Sequence, residues 1–119
     1  MTVYVDDMFR YPMGRYGRMK MSHMIADTED ELHEMAAAIG VARKWYQGDH
    51  YDVSMGCRLA AIRKGTIPIT CRHLACMAAL QKRGLPMGDP ATAIERRLAL
   101  SRAENPALAA ALARRKAEA

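Results

Sequence analysis

The sequence predicts an α/β domain: a small, mostly parallel sheet of three to four strands flanked by helices, followed by a C-terminal helical extension. Three observations carry this. Between residues 1 and 84, short β-rich runs alternate with helical stretches three times, the pattern of strand–helix–strand units. Half of the residues are hydrophobic but only 6% are aromatic, with Ala, Leu and ten Met supplying the rest, which suits helices packed on a sheet better than an all-β sandwich. After the breaker Leu85-Pro86-Met87-Gly88-Asp89-Pro90 the chain becomes Ala-rich and helical to its end. The expected units are residues 1–84 and 85–119.

Each element has a local reason. Thr2–Val5 is a β-rich run stopped by Asp6 and Asp7. Residues 8–21 hold Pro12, Gly14 and Gly17 among Arg, Tyr and Met, so they read as a loop closing into a strand near Met19–Met24. Thr28 with Glu31 forms a capping box, and Leu32, Met35, Ala36 and Ile39 give the following helix one apolar face up to Gly40. Val41–Tyr46 reads as a further strand with Trp45 and Tyr46 in the core, and residues 47–52 as a polar connection. Asp52 or Ser54 caps a second helix with Met55, Leu59 and Ile62 inward, ending at Gly65. Thr66–Thr70 is β-branched, and Pro68 restricts it to an edge. A third helix spans about 71–83. Two more, about 91–103 and 106–117, are split by Asn105-Pro106; their Leu98, Leu108 and Leu112 are placed to pack on the body or on a second copy.

The net charge of +5 conceals a partition. Residues 1–53 carry six basic groups and nine acids, a net −3, whereas residues 54–119 carry twelve and four, a net +8. The basic excess lies mostly on helices, where charged faces are usually solvated, so it does not by itself announce nucleic acid. No apolar run approaches the ~18 residues needed to span a bilayer, and the acidic start is unlike a signal peptide. A cytoplasmic protein without membrane association is expected. Three cysteines argue against a disulfide framework. Zinc on Cys57, Cys71, His73 and Cys76 is not favoured, because residues 71 and 73 point about 200° apart on a helix.

The acid-rich half carries the chemistry. Asp6 and Asp7 close the first strand, where ligands bind in open α/β sheets, and adjacent carboxylates call for a cation between them. His23 and Asp27 lie just before the capped helix, and His50-Tyr51-Asp52 sits at a strand-to-helix turn. If these connections share one edge, the Asp/His mixture is that of metal-assisted phosphoester hydrolysis. Asp6, Asp7, Asp27 and Asp52 are the expected ligands of Mg²⁺ or Mn²⁺, and His23 and His50 the further ligand or general acid/base. Arg15 and Arg18, on a glycine-containing loop with Arg10, Lys20, Tyr11 and Tyr16, together with Tyr51, are the expected substrate-binding residues. His33 is accounted for by an i,i+4 pair with Glu29. There is no P-loop, no G-x-G-x-x-G and no G-x-S-x-G.

With these residues in view, the chain resembles a bacterial and phage family known only as domain of unknown function 4031. The resemblance is carried by Val3-Tyr4-Val5-Asp6-Asp7, Ser22-His23-Met24 with Ala26-Asp27, Glu31-Leu32-His33, Gly40, Trp45-Tyr46-Gln47, His50-Tyr51-Asp52, and Ala61-Ile62 with Gly65 and Ile67-Pro68-Ile69. It spans about residues 2–72. Arg-Glu commonly follows the last strand of that pattern, and Arg72-His73 stands here, so one acid is missing. The resemblance implies that the Asp and His motifs are signatures of the family, and it is compatible with a phage origin; it brings no activity. The expected function is a divalent-metal-dependent phosphoester hydrolase, a nuclease or nucleotide phosphodiesterase. The alternatives are a non-catalytic module that binds a nucleotide, nucleic acid or another protein, and a small assembly protein that self-associates through its C-terminal helices.

Overall fold

The computed structural model describes residues 2–118, with the side chain of Leu108 outside the described part. The chain forms β1 (Val3–Val5), β2 (Arg15–Tyr16), β3 (Met19–Ala26), α1 (Glu29–Ala38), β4 (Tyr51–Ser54), α2 (Met55–Arg63), β5 (Ile67–Pro68), α3 (Cys71–Lys82), α4 (Pro90–Glu104) and α5 (Pro106–Glu118). The architecture is mixed α/β, as the alternation predicts.

The sheet has five strands and is mostly antiparallel, which corrects the expected parallel arrangement. β3 pairs antiparallel with β1, β2 and β4, and the one parallel pairing is β1 with β5. The reason lies in residues 8–18. Short 3-10 turns at Met8–Arg10 and Pro12–Gly14, then the two-residue turn between β2 and β3, reverse the chain before any helix intervenes. β3 therefore returns beside β1 in the opposite sense, whereas a parallel neighbour needs a crossover of a dozen residues or more. Gly14 is packed so closely that a Cβ would stand 2.2 Å from the Met8 carbonyl oxygen. Gly17, at φ +61°, supplies the left-handed turn conformation.

Two apolar layers cover the two faces. Val3, Val5, Met24, Ala26, Tyr51 and Val53 pack against Leu32 and Ala36 of α1 and Ala61 of α2. Tyr4 and Ile25 pack against Leu74 and Met77 of α3, Met87 of the breaker and Ala93 of α4. The period of two along each strand assigns side chains to these layers. α4 thus packs onto the sheet domain through α3, and Arg83 forms a two-pronged ion pair with Glu104 at its far end. Leu98 is 41% exposed.

Thr28 accepts from the Glu31 N–H as the capping box predicts, Ser54 rather than Asp52 caps α2 by accepting from Cys57, and Asp89 of the breaker caps α4 by accepting from Ala91. Two segments differ. Val41–Tyr46 is not a strand. Its backbone closes on itself, with Val41 donating to Ala36, Trp45 to Ala42 and Tyr46 to Arg43, and Trp45 is 61% exposed rather than in the core. The place beside β3 belongs to β4, where buried Tyr51 and Val53 alternate with Asp52 and Ser54. That segment is no polar connection, but four residues are too few for periodicity to declare it. In α2, Met55 and Leu59 are exposed; Ala61 is buried, and Ile62 packs half-buried against the core as expected. The three cysteines are free. Among the described residues no helix is long and apolar enough to cross a membrane.

Candidate functional site

The strand register builds the site. Asp52 of β4 stands directly across from His23 of β3. On the other side of β3, the Val5–Met24 pairing continues as the Asp6 N–H donates to the His23 carbonyl at 3.0 Å. Asp6, His23 and Asp52 thus lie in one row across three adjacent strands. Alternation turns all three toward the face covered by α3, away from Val5, Met24, Tyr51 and Val53.

Asp6 is fully buried. Its Oδ1 accepts from the backbone N–H groups of Met8 (3.1 Å) and His23 (2.8 Å), and its Oδ2 lies 2.8 Å from His23 Nδ1. Burial opposes the charge, but the His23 ring and these two N–H groups outweigh it and hold the carboxyl below its usual range. The hydrogen bond that His23 donates to Asp6 in turn raises the His23 pKa above its ordinary value, against the effect of burial, with help from the charges of Asp6, Asp52 and Asp49. Arg58 of α2 donates from Nε to the Asp6 carbonyl at 2.9 Å and stacks over Phe9, pinning the strand end.

With Nδ1 engaged by Asp6, His23 presents Nε2 outward, 3.9 Å from Asp52 Oδ1. His50 matches it. Its Nδ1 is 2.6 Å from Asp49 Oδ1, its Nε2 is 3.4 Å from the same Asp52 Oδ1, and the two imidazoles meet edge to face at 5.0 Å. Asp52 Oδ2 accepts from Gln47 Nε2 at 2.8 Å, whereas Oδ1 is covered and makes no hydrogen bond. Three potential ligand atoms, two imidazole Nε2 and one carboxylate oxygen, converge with their other polar atoms already held. These three atoms could hold an ion, with outer partners already orienting each side chain. Ligands of a tetrahedral ion at about 2.1 Å stand about 3.4 Å from one another, close to the separations here.

A second group, Asp6, His23 and Cys71, also lies within ligand range. It fits an ion less well, since Asp6 is spent on His23. Burial first, then the charge and hydrogen bond of Asp6, push the Cys71 thiol up to about 11, so it is protonated at neutral pH.

The cluster opens into a cleft of about 320 Å³. His23, His50 and Asp49 stand at its head, Leu74 and Ala78 of α3 form an apolar wall, and Lys82 and Arg83 lie along it. Lys82 Nζ is 3.4 Å from Asp49 Oδ2.

Of the residues singled out from sequence, Asp6, His23, His50 and Asp52 come together, with Asp6 acting on His23. The others lie elsewhere. Asp7 accepts from the Cys71 N–H at 2.7 Å and caps α3 from 64 residues away. Asp27 is exposed just past the end of β3, four residues beyond His23. Tyr51 is buried on the opposite face, its hydroxyl 2.6 Å from His33 Nδ1, while His33 Nε2 meets Glu29 at 3.0 Å. Arg15 and Arg18 are exposed on the β2–β3 hairpin, outside the cleft. Sequence reasoning gave no site role to Gln47, Asp49, Arg58 and Lys82, and weighed Cys71 only in the zinc set it did not favour. Asp49 and Gln47 adjoin the His50 motif and were within reach of it; the other three are recruited from helices distant in the chain.

The family model DUF4031, described as a protein of unknown function, matches residues 3–81. That span runs past the last strand through nearly all of α3 and includes every residue of the cluster. No curated protein and no solved structure matches the chain.

Proposed function

Because the chain belongs to the DUF4031 family, whose function is unknown, its own geometry carries the reading, and we propose that it is a divalent-metal-dependent phosphoester hydrolase. The observation that carries it is the covered, unpartnered Oδ1 of Asp52 faced by the Nε2 atoms of His23 and His50. Burying a carboxylate oxygen without a partner is costly, and a cation shared with two imidazoles removes the cost. His23, His50 and Asp52 are the ligands in this reading; Asp6, Asp49 and Gln47 orient them. The donor set favours Mn²⁺ or Zn²⁺ over Mg²⁺, which prefers oxygen ligands and retains its water.

Such an ion polarises a phosphoryl oxygen and supplies a nucleophile at neutral pH by acidifying water. The chain supplies the rest. Asp6 and Asp49 fix the tautomers that leave both Nε2 atoms as lone-pair donors. Lys82 and Arg83 line the cleft, and an anionic substrate would have to compete there with Asp49 for Lys82 and with Glu104 for Arg83. A cytoplasmic location completes the reading, and self-association through α4 and α5 is tested by the size of the purified chain in solution.

The test is metal titration by calorimetry with turnover on a panel of phosphomonoesters, phosphodiesters, nucleotides and oligonucleotides. Wild type is expected to bind one ion and to turn over part of the panel; His50→Ala and Asp52→Ala are expected to lose both properties. Ligand retention without turnover in any metal overturns the hydrolase and leaves the binding module.

A further inference from the structure

The hairpin joining β2 to β3 is absorbed neither by the core nor by the metal-ligand cluster. Its side chains are unusual for an exposed turn. Tyr16 is 79% exposed and Met19 49%, and Met13 and Tyr11 just before it are exposed as well. Arg15, Arg18 and Lys20 are exposed, and no acid occurs from residue 8 to residue 26. Among the described residues these three cations make no ion pair; the fourth, Arg10, reaches Asp7 only at 3.8 Å. A fold that only needed a turn there has no use for four exposed large apolar side chains in one segment, and an exposed apolar patch beside unpaired cations marks an interaction surface.

The register gives this surface a direction. Tyr16 pairs with Met19 and Arg15 with Lys20. Alternation along β3 then puts Tyr16 and Met19 on the same face as Met21 and His23, with the cations on the other side and at the turn. From Met19 to His23 is four residues of one strand, about 13 Å. The close approach of Gly14 to Met8 and Met21 fixes the base of the hairpin, so the strip is held in line with the cluster.

We infer that the β2–β3 hairpin is an arm for single-stranded nucleic acid, with Tyr16 and Met19 as platforms for unpaired bases, Arg15, Arg18 and Lys20 as phosphate contacts, and β3 as the track to the His23–His50–Asp52 group. This deepens the hydrolase reading and rests on it for the end of the track. Aromatic faces stack on bases only where bases are unpaired, and cations at the turn and on the reverse face of a hairpin only two strands wide neutralise the backbone that passes around it without reading sequence. An anionic membrane would take the same charges, but here the apolar strip leads into a polar cluster rather than onto a broad apolar face.

The experiment is fluorescence anisotropy of labelled single-stranded DNA and RNA oligonucleotides, in chelator so that nothing is cleaved, with wild type, Arg15→Glu/Arg18→Glu and Tyr16→Ala. All of these side chains are exposed, so the variants are expected to fold, as circular dichroism checks. The double variant is expected to weaken binding at least ~10-fold and to flatten its salt dependence. Tyr16→Ala is expected to weaken it about 5- to 100-fold. Unchanged affinity in both variants overturns the arm, and so does tighter binding of a duplex or of phosphatidylserine vesicles. Turnover is read separately: an oligonucleotide held through Tyr16 and Arg18 but never cleaved in any metal leaves the arm standing and removes the hydrolase. Cleavage whose substrate binding ignores both variants does the reverse.

Discussion

His23 and Asp52 are direct partners across the antiparallel β3–β4 pairing, yet their facing side-chain atoms, Nε2 and Oδ1, stand 3.9 Å apart and do not hydrogen-bond. A neighbouring histidine and carboxylate normally close that gap. Here each is held back by a partner on its far side, Asp6 on His23 and Gln47 on Asp52. The separation is built by the surroundings, and it leaves Asp52 Oδ1 without a hydrogen bond.

Asp6→Asn tests the outer partner. An amide donating to His23 Nδ1 moves the ring proton to Nε2, and the lone pair facing Asp52 is lost. Affinity for Mn²⁺ or Zn²⁺ is expected to fall ~10- to 100-fold with stoichiometry unchanged, as calorimetry reads. Unaltered affinity would remove Asp6 from the site.

The same pair makes metal-free stability depend on pH. His23 has a raised pKa when folded, so its contribution is complete below the unfolded value of about 6.5 and is lost as pH rises through the folded value. Asp6 has a lowered pKa, so its contribution is complete above about 3.8 and is lost as pH falls through the folded value. The melting temperature in chelator is expected to decline from pH 6 upward and to fall again in strong acid. Asp6→Asn is expected to flatten the alkaline decline; a wild-type profile flat above pH 6 would contradict this.

Cys71 is expected to be a slow nucleophile. With its thiol pushed up to about 11, alkylation by iodoacetamide, followed at the Cys71 peptide by mass spectrometry, should accelerate steeply only toward that pH. Rapid alkylation at pH 7 would mean that the thiol is not held protonated.

Gly14→Ala addresses the base of the hairpin. The added Cβ would stand 2.2 Å from the Met8 carbonyl oxygen and 3.0 Å from that of Met21, both backbone atoms that cannot rotate away. A loss of about 1–3 kcal/mol is expected, read as a lower urea midpoint with an unchanged slope. An unshifted midpoint would mean that the 3-10 turn before β2 is free to move.

Much of the local structure was legible. Thr28 with Glu31 marks the start of α1, Pro68 confines β5 to an edge, and Asn105-Pro106 divides α4 from α5. These signals act within a few residues, through a cap, a missing N–H or a fixed φ, so they read the same in any fold. The residue types of the site were legible in the same way, as Asp6, His23, His50 and Asp52.

Direction and partnership were not. Whether β3 runs with or against β1 is decided by turns in a loop whose conformation depends on how closely Gly14 packs on Met8. β4 is four residues long and becomes a strand because β3 offers it an edge. Asp7 resembled a metal ligand as much as Asp6 did, and only the arrival of α3 assigns it to the Cys71 N–H. The sequence determined which polar side chains the chain offers and about where each helix starts and stops, because helix ends rest on local sterics and hydrogen bonding. The tertiary structure alone decided which carboxylate meets which imidazole, because that depends on strand register and on helices brought in from up to 64 residues away.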